Sequence, residues 1–109
     1  MIVRPCTRAD FEAFYSKKPP MTLRALAAER DGEIVGIGGY YIVGGIAYAF
    51  TDQRGMTRRE MVRAAHSFMK FIHRIKTDVI AQCNSETGDT VLRHFSFRPY
   101  HDDVWRLTI

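Results

Sequence analysis

Three arginines crowd one short stretch of this chain. Arg54, Arg58 and Arg59 surround Thr57-Arg58-Arg59-Glu60, which has the pattern of a helix start with Thr57 as N-cap and Glu60 three residues on. A helix N-terminus carries unsatisfied N–H groups and the positive end of the helix dipole, so it suits an anion such as phosphate. The segment Arg54-Gly55-Met56-Thr57-Arg58-Arg59 is therefore a candidate anion-binding loop. For any one of these bases the plainer reading is a solvated helix face.

Other reactive side chains are scattered. Cys83 and His94 could hand over a proton, although a lone Cys is most simply a small buried hydrophobe and His94 a surface helix residue. Tyr48 and Asp52 fall on or after an apolar strand and are further proton-handling candidates, while Tyr40, Tyr41 and Tyr48 also suit a pleated packing surface. Asn84 would cap the helix that follows it or orient a polar ligand. Cys6 and Cys83 form no CxxC pair, and His66, His73, His94 and His101 do not flank them at zinc spacing, so no metal site is expected.

The chain has 109 residues, 46% of them hydrophobic, which fits one domain with a packed core, residues 1–109. The net charge of +4 is uneven. Arg54 to Lys76 holds seven bases and one acid, a net +6, so the rest of the chain is −2. Such a concentration can mark a phosphate-rich partner. No helix-turn-helix, RNP or zinc-finger pattern accompanies it, which places nucleic acid last among the partners. The uncharged run from Ile34 to Phe50 is short and broken by five glycines, and no apolar leader opens the chain. A cytoplasmic protein with reduced thiols is expected, with no membrane span.

The elements that would position these residues follow from local signals. Met1 to Thr7 reads as a strand, and Thr7 can cap a helix over Arg8–Tyr15 that the Pro19-Pro20 pair ends. Leu23–Arg30, Glu33–Val43 and Ile46–Thr51 read as strands joined by Asp31-Gly32 and Gly44-Gly45 turns, an antiparallel meander. From Thr57 to about Arg74, Met61, Ala65, Phe68, Ile72 and Ile75 form one apolar stripe at helical spacing, predicted to lie on the sheet. Val79–Cys83 reads as a strand, Glu86–Phe95 as a helix and Val104–Ile109 as a last strand. The expected fold is an α/β sandwich of order β-α-β-β-β-α-β-α-β.

That order resembles the GNAT superfamily, the N-acetyltransferases that use acetyl-CoA. Arg4-Pro5-Cys6-Thr7-Arg8-Ala9-Asp10 is similar to the family's R-x-A-T-x-x-D opening. Ala81-Gln82-Cys83-Asn84 followed by Phe95-Ser96-Phe97 is similar to its fifth strand ending in Asn and its later L-G-F turn. The likeness spans nearly the whole chain, which lacks the family's usual second helix and is compact in the way of small phage-encoded members, so a phage source is an expectation.

The resemblance implies a mixed, mostly antiparallel sheet flanked by helices, and acetyl-CoA plus an amine as substrates. It assigns Phe50, Thr51, Arg54, Gly55, Met56, Thr57, Arg58, Arg59 and Asn84 to acetyl-CoA, with a free N–H near Phe50 or Thr51 polarising the thioester carbonyl. The family loop Q/R-x-x-G-x-G/A keeps only Arg54, since Thr57 and Arg59 stand at its glycines. The Tyr that protonates the leaving thiolate in many members falls at Leu92, and no Glu lies on strand four. Any transfer would then rest on positioning, with Cys83 and His94 as weak substitutes. The alternative is an inactive GNAT-like interaction or structural protein. An open strand edge could also pair two copies into a homodimer.

Overall fold

Thr7 opens the first helix as its sequence suggests. Its hydroxyl accepts from the Asp10 N–H at 3.1 Å, and Asp10 accepts from the Thr7 N–H at 2.8 Å. Arg4 then clamps three elements, reaching Asp10 at 2.7 Å and Glu29 at 3.1 Å. That guanidinium holds the Asp10 carboxyl well below the usual carboxylate range.

The computed structural model describes residues 1–19, 22–82 and 86–108. Its elements are β1 (Ile2–Pro5), α1 (Arg8–Tyr15), β2 (Arg24–Arg30), β3 (Glu33–Val43), β4 (Ile46–Gln53), α2 (Arg58–Ile72), β5 (Val79–Gln82), α3 (Glu86–His94), β6 (Arg98–His101) and β7 (Val104–Leu107). One sheet runs in the order β1-β2-β3-β4-β5-β7-β6. Every neighbouring pair is antiparallel except β4 and β5.

The expected order holds with one added strand. β6 pairs with β7 across a turn in which Asp102 has φ 48°. The sequence hid it because Arg98-Pro99-Tyr100-His101 is four exposed residues with a proline, a composition confined to sheet edges. β4 also runs two residues beyond Thr51, and α2 ends at Ile72 with His73 as its C-cap.

Helices α2 and α3 share one face. There Phe68, Met69, Ile72, Leu92 and Phe97 pack with Ala47, Ala49, Val79, Ala81, Trp105 and Leu107 in one cluster. Side chains alternate along a strand, so Phe50 points to the opposite face, where buried Phe11 of α1 meets it edge-on at 6.4 Å. The close seat of α2 depends on β3. A Cβ at Gly38 would stand 2.8 Å from the Phe68 ring.

Candidate functional site

β4 and β5 pair over only three residues, Ala47 with Val79, Tyr48 with Ile80 and Ala49 with Ala81. Beyond them β4 continues to Gln53, paired among the described residues with β3 alone. The Ala47 N–H donates to the Asp78 carbonyl on the β5 side. Strand alternation puts the Ala49, Thr51 and Gln53 N–H groups on that same edge and the Phe50 N–H toward β3. Of the two donors suggested by the sequence, only Thr51 aims into the gap. Among the described residues no strand pairs opposite it.

The gap opens into a cavity of about 590 Å³ between the sheet and the N-terminal half of α2. Gly36, Gly38, Thr51, Met56, Met61 and Leu92 are among its walls. This volume lies within the ~300–1,000 Å³ of ordinary ligand pockets. It also explains the graded burial of α2. Phe68 and Ile72 are buried on the sheet as predicted, whereas Met61 and Ala65 are only half-buried because they line the cavity.

At the cavity mouth Gly55 turns the chain from β4 into α2, with φ 67° in the left-handed region that glycine tolerates. The helix start is tightly bonded to itself. Gln53 Oε1 accepts from the Met56 N–H at 3.0 Å, Glu60 Oε1 from the Thr57 N–H at 2.9 Å, and Thr57 Oγ1 from the Glu60 N–H at 3.1 Å. Arg30 donates to the same Glu60 oxygen at 2.6 Å. The Thr57 N–H foremost, and then Arg30, hold the Glu60 carboxyl below its usual range. Arg58 and Arg59 are exposed, and their N–H groups are the first-turn donors without an intrahelical acceptor.

Arg54 does not join them. Its guanidinium lies 4.1 Å from the Phe14 ring centroid and donates to the Phe14 carbonyl at 2.5 Å, at the C-terminal end of α1 on the other face. On that face the Tyr15 hydroxyl donates to Asp52 at 2.5 Å, and Tyr41 stacks on Tyr48 at 5.7 Å. Burial, and next the bond to Asp52, push the Tyr15 phenol well above its usual value. Tyr40 instead packs on Phe71 at 5.4 Å on the α2 face.

His94 is exposed at the end of α3, its ring edge-on to Phe95 at 5.0 Å, away from the residues that line the cavity. Leu92 is buried in the wall itself. Cys83 and Asn84 lie outside the described residues. The Tyr15–Asp52 pair was missed by sequence reasoning. Their separation of 37 residues carries no local signal. The Phe95-Ser96-Phe97 turn closes α3. Ser96 has φ 73°, the Phe97 N–H reaches the Leu92 carbonyl at 2.9 Å and the Ser96 N–H reaches Arg93 at 3.1 Å, a Schellman ending with serine in the glycine place.

No family model and no curated protein sequence matches the chain. Solved structures do. The GNAT domain of S. lividans PAT superposes with TM-score 0.65 at 15% identity, covering 98% of this chain and 88% of that one. An N-acetyltransferase from Staphylococcus aureus Mu50 gives 0.64 at 10% identity, covering 98% and 97%. The ribosomal-protein-alanine N-acetyltransferase of Brucella melitensis gives 0.61 at 13% identity, covering 98% and 96%. With its sheet order, its single parallel junction at β4–β5 and these superpositions, the chain has the fold of the GNAT acetyltransferases.

Proposed function

We propose that this protein is an N-acetyltransferase that moves the acetyl group of acetyl-CoA to an amine. The observation that carries the reading is the β4 edge at Thr51, unpaired among the described residues, above an apolar-walled cavity of about 590 Å³. A thioester carbonyl placed there accepts the Thr51 N–H, which stabilises the oxyanion formed when the amine nitrogen attacks the carbonyl carbon. Collapse of that intermediate breaks the C–S bond and expels the thiolate. Leu92 offers no proton, so the thiolate is protonated by water, and the amine loses its proton to water. Asp52 and Tyr15 stand on the opposite face of β4 and mark the side from which the amine approaches.

The test is release of free thiol from acetyl-CoA with a panel of amines, for wild type and Thr51→Pro. Proline deletes the N–H that faces the gap and spares the bonds to β3. Loss of an oxyanion donor costs on the order of 10²–10³ in rate, and the variant should show that loss while its melting and circular dichroism stay near wild type. Equal rates would remove Thr51 from the mechanism. A second reading, a GNAT-like protein without catalysis, is favoured by Leu92 in the cavity wall. Absence of thiol release with every amine in the panel, from protein shown to be folded, would select it.

A further inference from the structure

Three of the N–H groups where α2 starts are already bonded by side chains of the same segment. We propose that the donor site recognises an acyl-pantetheine thioester through its arm alone and gains little from a nucleotide diphosphate. This inference rests on the acyl-donor reading above and narrows its substrate class.

Of the N–H groups at this helix start, those of Met56, Thr57 and Glu60 are each bonded by a side chain of the same segment, from Gln53, Glu60 and Thr57 respectively, which leaves a diphosphate only those of Arg58 and Arg59. The Glu60 carboxylate stands among them, so an incoming phosphate meets a like charge a few ångströms away. Arg30, a cation on that side, is paired with Glu60 at 2.6 Å and also reaches the Gly55 carbonyl at 3.4 Å. Arg54 is bound to α1 instead. What remains is the pair Arg58 and Arg59, whose two open N–H groups stand beside the Glu60 carboxylate and whose exposed guanidinium groups are screened by salt.

The cavity, by contrast, is ready for the other half of the ligand. Gln53, Met56 and Met61 line it near the helix start, and Thr51, Ala81 and Leu92 line it where β4 and β5 part. An extended chain bearing amides and a thioester can use the open β4 edge for its polar groups and the methionine, alanine and leucine walls for its methylenes. The chemistry that this edge and these walls can recognise is that of pantetheine, with or without a nucleotide attached.

Calorimetric titration of the full chain with coenzyme A and with pantetheine tests this. Affinities within about threefold of each other are expected, with little salt dependence in either. Coenzyme A tighter by about a hundredfold or more would overturn this inference and leave the acyl-donor reading standing. Binding of neither, by protein whose cooperative melting shows it folded, would overturn both. Glu60→Gln keeps the capping geometry and removes the charge. It should raise the coenzyme A affinity by about tenfold and leave pantetheine unchanged. An unchanged ratio in that variant, at low salt, would also count against the proposal.

Discussion

The Tyr15 hydroxyl donates to the Asp52 carboxylate at 2.5 Å, so the last residue of α1 is tied to β4 one residue beyond Thr51. The raised phenol pKa stabilises the neutral form in the folded state. That contribution is fully present below the ordinary tyrosine value of about 10 and is lost as pH rises through the folded value. Wild type should therefore lose stability above about pH 10 more steeply than Tyr15→Phe, as read from urea midpoints across pH. At neutral pH the same variant should cost about 1 kcal/mol for its hydrogen bond. Parallel alkaline profiles would show that the phenol is not the titrating group.

Burial along α2 is uneven, and truncation should follow it. Phe68→Ala removes a ring that is 7% exposed and should cost about 3–5 kcal/mol. Met61→Ala, at the edge of the cavity, should cost about 1 kcal/mol or less, because its packing partners on one side are already missing. Gly38→Ala brings a methyl within 2.8 Å of Phe68 and should cost about 1–3 kcal/mol by overpacking. Denaturant melts of the three variants give the ranking directly.

Ser96 holds a left-handed conformation that favours glycine, inside a complete Schellman ending of α3. Ser96→Gly should raise stability by about 1 kcal/mol, since the backbone strain of a β-carbon at positive φ is removed. A lower melting temperature in the variant would mean that the serine side chain supplies something the backbone geometry does not.

Much of the fold is written in local signals. The Thr7 and Thr57 capping boxes fix both helix starts, and the Asp31-Gly32 and Gly44-Gly45 turns fix β3 to the residue. β6 is silent because its four residues face solvent around Pro99 and make no apolar alternation. The site is less legible than the fold. Thr57 and Glu60 are visible as a cap, but that Gln53 takes a further N–H at the helix start and that Arg30 pairs with the Glu60 carboxylate emerges only in three dimensions. Arg54 reads as an anion ligand by spacing. Yet β4 runs on to Gln53 and the Arg54 N–H bonds Val35, and its side chain reaches α1. The cavity has no sequence signature, because Met61 and Ala65 keep helical periodicity whether or not anything fills the space beneath them.

Turnover, where it occurs, should rise with pH across the range in which the amine deprotonates, because water takes the proton. His94→Ala should change the rate by less than about tenfold, below the 10²–10⁴ that a general acid or base supplies. The rate of thiol release as a function of pH, for wild type and His94→Ala, checks both. A hundredfold loss in the variant would bring the exposed His94 into the chemistry.

The three-residue junction between β4 and β5 is, among the described residues, the one parallel pairing in the sheet and separates two runs of antiparallel strands. β1 to β4 form a run of antiparallel pairs built mostly from tight hairpins, and β5 to β7 form a smaller leaf reached across α2. In native-state hydrogen exchange such units open separately, with free energies set by their own contacts. Amides in the middle of β3 should exchange last. Those of β6 and β7 should exchange together and earlier, as the smaller leaf swings off its narrow seam while the meander stays closed. On that expectation, the seam that exposes Thr51 to a ligand would also be the line along which the native protein first opens.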